Sequence, residues 1–157
     1  MSNAPILHTI GHSNHAIETF TGLLNTHQIE TVIDVRSLPA SRRLPHFIRA
    51  PLHESLQAAG ISYLWFGKEL GGKGDRNAEA AAFRARIGEL TALAINSGAA
   101  IMCAEENPLS CHRTQLLGKP LAAAGIALMH IRGDGSLIAD TELAPKRGAQ
   151  LSLFSEG

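Results

Sequence analysis

Short apolar stretches that alternate with helix-like segments limit the fold of this sequence more than any other feature. The segments between the stretches carry apolar residues at helical spacing. The strand-like stretches are Pro5–Ile10, Thr31–Val35, Ser62–Phe66, Ala99–Cys103 and Ile126–Ile131. Such alternation is typical of a parallel sheet with helices on both faces. We therefore predict an α/β fold, a Rossmann-like three-layer sandwich with a mostly parallel sheet of about five strands.

The length of 157 residues suits one domain. We place this Rossmann-like domain at residues 1–138 and a C-terminal tail at residues 139–157. The longest predicted helix covers Ala78–Ser97. A further helix is expected to start near Cys111, and Gly118 and Pro120 should break or kink it in its middle.

Composition excludes several classes of protein. Fourteen basic and fourteen acidic residues give zero formal charge, so global charge does not attract nucleic acid, although a local basic patch can. No apolar run approaches the ~18–20 residues of a membrane span, so no membrane partner is expected. The N-terminus lacks the pattern of a secretory signal. Two cysteines form no disulfide framework, and the cytoplasm is the predicted compartment.

Reactive side chains directly follow four of the predicted strands. Because the carboxyl ends of parallel strands meet at one edge of the sheet, these side chains should converge on one crevice. A protein with a purely structural role does not need such a collection at one edge, so the pattern indicates an enzyme site. The residues are His12 and Ser13, Asp34 and Arg36, Glu69, and the run from Cys103 to Arg113.

The cluster Cys111-His112-Arg113 is placed at a predicted helix start, where backbone N–H groups face an anion. The helix dipole and Arg113 would stabilise a thiolate at Cys111. Arg113 can instead bind a phosphate or carboxylate with its forked guanidinium. The structural alternatives are a buried, inert Cys111 and a salt-bridged Arg113.

Asp34 and Arg36 are two residues apart where the chain leaves the second strand, and side chains at this spacing share a face in a regular strand. They can address a ligand together, or they can form a buried ion pair that holds the loop. Both readings stay open from the sequence.

Two glutamates, Glu69 and Glu105, are candidate general bases if burial raises their pKa. Glu106 is expected to face solvent. Ser13, or Asn14 beside it, should cap the helix after the first strand rather than act as a nucleophile. The residues His12, Cys103, Cys111 and His112 match no compact zinc signature, so we predict no metal site.

The stretch Arg36–Arg49 is basic and contains prolines and Phe47. Such a loop can neutralise the phosphates of a nucleotide or nucleic acid. The alternative is a solvated surface loop.

Four ordered blocks resemble the signature blocks of the DUF488 family, a domain of unknown function, across about residues 6–135. The resemblance implies a Rossmann-like fold and the importance of the quoted residues, but it implies no defined reaction and no cofactor. The blocks are Thr9-Ile10-Gly11-His12-Ser13, Val32-Ile33-Asp34-Val35-Arg36, Glu69-Leu70-Gly71-Gly72, and Cys103-Ala104-Glu105 with Pro108 and Cys111-His112-Arg113.

The leading functional hypothesis is a cytoplasmic enzyme that acts on a phosphate-bearing substrate, a nucleotide or nucleic acid. The predicted phosphate contacts are Ser13, Arg36, His112 and Arg113. The predicted catalytic groups are His12, Asp34, Glu69 and Glu105. The alternatives are thiol chemistry at Cys111, with Cys103 as a resolving partner, and a binding module without catalysis.

The tail contains Gln150-Leu151-Ser152-Leu153-Phe154, which resembles the peptide that bacterial polymerases and repair proteins use to bind the DNA sliding clamp. Leu153 and Phe154 would fill an apolar pocket, and Gln150 would fix the register. This reading makes the clamp a partner and links the protein to DNA repair. The alternative is that the peptide packs on the domain as a short edge strand.

Overall fold

The computed structural model describes residues 4–70 and 76–143, with no side chains for residues 76–80, 110 and 112–115. Within these ranges the predicted α/β class is confirmed. The strands are β1 (Ile6–Gly11), β2 (Thr31–Asp34), β3 (Ser62–Trp65), β4 (Ala99–Cys103), β5 (Ala127–Ile131) and β6 (Leu137–Ala139). The α-helices are α1 (Ile17–Thr26), α2 (Arg49–Ala58), α3 (Gly67–Leu70), α4 (Arg76–Asn96) and α5 (His112–Ala123).

The six strands form one sheet in the order β3-β2-β4-β1-β5-β6. The first five are parallel, as predicted, and β6 pairs with β5 in the antiparallel sense. The hairpin between β5 and β6 closes where Arg132 N–H donates to the Ser136 carbonyl at 2.8 Å. Strand β6 was not predicted from the sequence, because three residues are too few to show strand periodicity.

Two apolar clusters lie on opposite faces of the sheet and complete the three layers. One contains the inner residues of α1 and α2, and the other contains those of α4 and α5. All five residues of β4 are buried, and they alternate between the clusters: Ile101 belongs to the α4/α5 side, and Met102 to the α1/α2 side. Because of this alternation, neighbouring side chains of a strand pack on opposite faces of the sheet.

The predicted N-cap residue of α1 is wrong, and so is the predicted break in α5. Helix α1 begins at Ile17 with Ala16 as its N-cap residue, and no side chain caps it. Ser13 has φ +45° instead, in the left-handed region, so it belongs to the turn and not to the helix.

Helix α5 continues through Pro120 to Ala123 without a break. Proline costs roughly 3 kcal/mol in a helix interior. Leu117 and Leu121 are fully buried against the sheet, and each such burial contributes about 1.5–3 kcal/mol. Their packing offsets the cost of the proline.

None of the described helices is both long and apolar enough to cross a membrane.

Candidate functional site

The loops that leave neighbouring strands at the carboxyl edge run to opposite faces of the sheet. The loops after β1 and β2 lead to α1 and α2, whereas the loops after β3 and β4 lead to α4 and α5 on the other face. In the order β3-β2-β4-β1, adjacent strands therefore send their helices to opposite faces of the sheet. In α/β proteins of this kind, ligands bind at the carboxyl ends of the strands.

The loops after β1 and β4 are tied together by their backbones. His12 N–H donates to the Cys103 carbonyl at 2.8 Å, and Ser13 N–H donates to the Ala104 carbonyl at 2.9 Å. A Cβ at Gly11 would lie 1.8 Å from the Glu105 carbonyl oxygen, so only glycine permits this approach.

The loops after β2 and β3 are tied in the same way. Phe66 N–H donates to the Asp34 carbonyl at 2.9 Å, and Trp65 Nε1 donates to the Arg36 carbonyl at 2.8 Å. A Cβ at Gly67 would lie 1.8 Å from that same Arg36 oxygen. The strand ends are therefore rigidly positioned before any ligand arrives.

Asp34 and Arg36 form a buried ion pair with two parallel hydrogen bonds. Arg36 Nε and Nη2 donate to the two carboxylate oxygens at 2.9 and 2.8 Å, and the Arg36 backbone N–H donates at 3.0 Å. Tyr63 donates its hydroxyl to the same carboxylate at 2.6 Å. Asp34 is 0% exposed and Arg36 is 4% exposed. Burial and the bond to Asp34 raise the pKa of Tyr63, which keeps the hydroxyl a donor.

One nitrogen of this cluster has no partner among the described residues. The Nη1 atom of Arg36 is buried and makes no hydrogen bond within that part of the chain. Native proteins satisfy nearly all buried polar groups, and an orphaned donor on a charged group is especially costly. The ion pair that the sequence allowed is thus present, and it leaves one buried guanidinium nitrogen without a hydrogen-bond partner among the described residues.

His12 is a neutral histidine beside this pair. The ring is 6% exposed, stacks on Phe47 with centroids 4.4 Å apart, and donates from Nδ1 to the Ser13 carbonyl at 2.8 Å. Burial lowers the pKa of His12 to about 4; the bond to Ser13 opposes this shift, and the Arg36 charge adds to it. Because Nδ1 carries the proton, Nε2 has a lone pair that can accept one.

The basic loop, residues 36–49, folds beside these groups. Phe47 is fully buried under the His12 ring, and His46 Nε2 donates to the His15 carbonyl at 2.8 Å. The Arg49 guanidinium lies 4.7 Å from the centre of the Trp65 ring. These contacts order the loop beside His12 and Trp65.

The predicted acids Glu69 and Glu105 form no hydrogen bond with Arg36 in the part of the chain that the structure describes. Glu69, on α3, accepts from Arg86 Nε at 2.8 Å, and Arg86 lies over the Phe66 ring. Glu105 is exposed at the end of β4. The expectation that Glu106 faces solvent is wrong, because it binds the β5 hairpin. Glu106 accepts two hydrogen bonds from Arg132 and one from Gly133 N–H, and the bonds from Arg132 contribute most to lowering its pKa.

The two cysteines lie on the α4/α5 side of the sheet. Both are buried thiols, and Cys111 Sγ donates to Cys103 Sγ at 3.1 Å. Cys103 ends β4 at the same sheet edge as Asp34 ends β2, but the thiols lie on the opposite face of the sheet from the Asp34 carboxylate. No group of three potential ligands within the described residues is arranged to hold a metal. The side chains of His112 and Arg113, and the tail residues Gln150, Leu153 and Phe154, lie outside the described part of the structure.

Sequence reasoning missed two polar contributions. Tyr63 on β3 completes the Asp34 cluster, and its signal was a single tyrosine in a strand next to the one that ends in Asp34. A second chain of hydrogen bonds joins Thr9 Oγ1 to His130 Nδ1 at 2.6 Å and His130 Nε2 to Asp140 at 2.9 Å. Its signal was a histidine inside an otherwise apolar strand.

The fold and the site together define a doubly wound α/β protein with a buried arginine–aspartate pair and a neutral histidine at the strand carboxyl ends. The family model for the domain of unknown function DUF488 matches residues 16–118, about two thirds of the chain, so the protein belongs to the DUF488 family. The match includes Asp34, Arg36 and both cysteines, whereas His12 and Ser13 precede it. No curated protein and no solved structure matches the chain.

Proposed function

We propose that this protein is an enzyme that acts on a phosphate-bearing substrate, a nucleotide or nucleic acid, in the crevice beside Arg36 and His12. The observation that carries the proposal is the buried, unpartnered Nη1 of Arg36. Asp34 already occupies Nε and Nη2, so the guanidinium is held in one orientation with Nη1 as its unpartnered nitrogen among the described residues. A phosphate oxygen bound there would satisfy that donor with a charge-assisted hydrogen bond. Ser13, His112 and Arg113 remain the proposed additional phosphate contacts.

His12 is the proposed proton acceptor. Its lone pair on Nε2 is available at neutral pH, because the pKa of about 4 keeps the ring neutral. A bound phosphate would bring negative charge next to the ring and raise that pKa toward neutrality, where a general base works best. Asp34 acts as a positioning residue in this scheme, since its oxygens are occupied by Arg36 and Tyr63. The exposed Glu105 and the Arg86-bound Glu69 are secondary candidates for acid–base function.

The test compares two variants in binding and turnover. Titration calorimetry with nucleoside phosphates and short oligonucleotides measures binding, and product analysis measures turnover. Arg36→Lys removes the forked donor but keeps the charge, so binding should weaken at least about tenfold, the equivalent of one hydrogen bond of 1.4 kcal/mol. His12→Gln should keep binding and lose turnover.

Circular dichroism checks that both variants fold, and Glu105→Gln tests the remaining exposed carboxylate. Binding without turnover by the wild-type protein would support the non-catalytic binding module. No binding of any phosphate ligand by the wild-type protein would end the proposal.

A second candidate function is thiol chemistry at Cys111, and the 3.1 Å contact with Cys103 supports it. A peroxide would oxidise the Cys111 thiol to sulfenic acid and release water. The Cys103 thiol would then displace a second water and form a disulfide. Intact mass after peroxide treatment should show the loss of two hydrogen atoms, reversed by a dithiol reductant. Stepwise gain of oxygen, or no change, would contradict this candidate.

The tail supplies a proposed partner. We keep the sliding clamp as the partner of Gln150, Leu153 and Phe154, with the cytoplasm as the proposed compartment and DNA repair as the proposed role. Calorimetric titration with purified clamp should show binding by the intact chain and none by a Leu153→Ala, Phe154→Ala variant. Equal binding by both chains, or none by either, would remove the clamp from the proposal.

A further inference from the structure

We infer that the substrate is a single-stranded nucleic acid whose backbone runs along the basic loop, residues 36–49, into the Arg36 site. This inference rests on the proposed function and names its substrate class. It is carried by three features: the charge of the loop, its order, and the rings beside its arginines.

Charge is segregated in this part of the chain. Between positions 35 and 53 the sequence has four arginines, two histidines and no aspartate or glutamate, although the whole chain has equal numbers of basic and acidic residues. Asp34, the acidic residue on the N-terminal side, is already occupied by Arg36. The loop therefore carries a local positive field that the net charge of zero conceals.

The outer arginines of the loop are exposed, and no described carboxylate pairs with them. Arg42, Arg43 and Arg49 lie on the surface and make no ion pair with any residue that the structure describes. Arg86 and Arg132, in contrast, are each bound by glutamates. Guanidinium groups without carboxylate partners are available to phosphates.

The loop presents these arginines from an ordered backbone. Arg49 N–H donates to the Pro39 carbonyl at 2.9 Å, which closes the loop on itself, and Leu44 N–H donates to Ser41 Oγ at 3.1 Å. The buried Phe47 anchors the segment under His12. The cationic groups consequently stay near the crevice, and less entropy is lost when a ligand orders them.

Two half-buried rings, those of His46 and Trp65, lie beside the arginines. His46 is half-buried with its ring centre 4.3 Å from that of Phe47, and Trp65 is half-buried with Arg49 over it. Proteins that bind single strands combine such rings with a cationic groove, because unpaired bases stack on them. A single strand can also bend to deliver one phosphate to the buried Arg36, which a stiff duplex cannot do without deformation. A simple polyanion would use the arginines but not the rings.

The experiment measures fluorescence anisotropy of a labelled fifteen-residue oligothymidine and oligouridine across a salt series. Each phosphate contact contributes about 0.7 to the slope of log K against log salt for a single strand. An Arg42→Gln, Arg43→Gln variant should lower that slope by about 1.4. Arg84→Gln, an exposed arginine on α4, is the matched control and should leave the slope unchanged. Trp65 is the sole tryptophan, so quenching of its fluorescence by the oligonucleotide reports stacking.

The outcomes separate this inference from the proposed function. Mononucleotide binding that depends on Arg36, together with an unchanged salt slope in the Arg42/Arg43 variant, would overturn the inference alone. Equal affinity for single strand, duplex and heparin would also overturn it, because the loop would then be a general polyanion surface. Loss of all phosphate binding in the wild-type protein would overturn both.

Discussion

Asp34→Ala should destabilise the protein strongly, because it leaves the Arg36 guanidinium buried without its counter-charge. The carboxylate accepts three hydrogen bonds from Arg36 and one from Tyr63, and none of its surface is exposed. Breaking a buried ion pair by removing one partner costs about 3–5 kcal/mol. At about 2–4 °C per kcal/mol for a domain of this size, the melting temperature should fall by roughly 6–20 °C.

The assay is urea denaturation of Asp34→Ala, Arg36→Ala and the double variant, followed by circular dichroism. The double variant removes both charges, so it should lose clearly less stability than the two single losses combined. Tyr63→Phe removes one hydrogen bond to a charged acceptor and should cost about 1.5–3 kcal/mol. Single losses that add to the double loss within about 0.5 kcal/mol would refute the reasoning, because independent sites behave in that way.

Three further predictions concern the strand ends and the sheet. The pKa of His12 near 4 predicts that its ring signals in NMR shift only well below pH 6, and a midpoint at 6.5 would contradict it. The folded pKa of His12 lies below its unfolded value, so the neutral ring stabilises the fold by at most about 3 kcal/mol. This contribution is complete above pH 6.5 and is lost as the pH falls to about 4. Urea midpoints measured across this pH range will test it. Gly11→Ala should lower the melting temperature, because the added Cβ would meet the Glu105 carbonyl oxygen. Gly22→Ala is the control: nothing lies within 4 Å of its added Cβ, so it should raise the melting temperature slightly. Equal shifts in the two variants would show that the loops do not approach as described. Thr9→Val leaves His130 Nδ1 without its partner and should cost about 1–3 kcal/mol in urea denaturation, and an unchanged midpoint would show that the bond contributes nothing.

The fold was largely predictable because its strands differ from their surroundings in apolar content. Ala99–Cys103 is buried along its whole length, so its bounds were correct from the sequence. The strand Leu137–Ala139 was not predictable, since its pairing depends on the hairpin turn and on the exposed edge of β5. Pro120 did not end its helix, because Leu117 and Leu121 are buried against strands that are distant in sequence. The energy of that burial could not be predicted from the helix sequence alone.

The sequence indicates the edge of the sheet at which the candidate residues lie, but it does not indicate the face of the sheet to which each side chain points. Asp34 pairs in register with Met102, and Cys103 follows at the next position, so the two reactive groups point to opposite sides of the sheet. That parity depends on the register between strands, which the sequence of one strand does not contain. The ion pair of Glu69 with Arg86 likewise depends on how α4 is placed against α3. That Arg36 Nη1 is buried without a partner among the described residues depends on the tertiary structure and cannot be predicted from the sequence.

The strand order also governs how the chain assembles. β1 is the first strand to be synthesised, yet its neighbours are β4 and β5, and His8 pairs with Ala100. At roughly 5–20 residues per second, a ribosome takes on the order of 5–20 s to supply that partner. β2 and β3, adjacent in both sequence and space, can meet much earlier. The interior strand β1 is thus inserted late between partners, and non-local pairing of this kind makes refolding slow and exposes apolar strands to aggregation before the sheet closes.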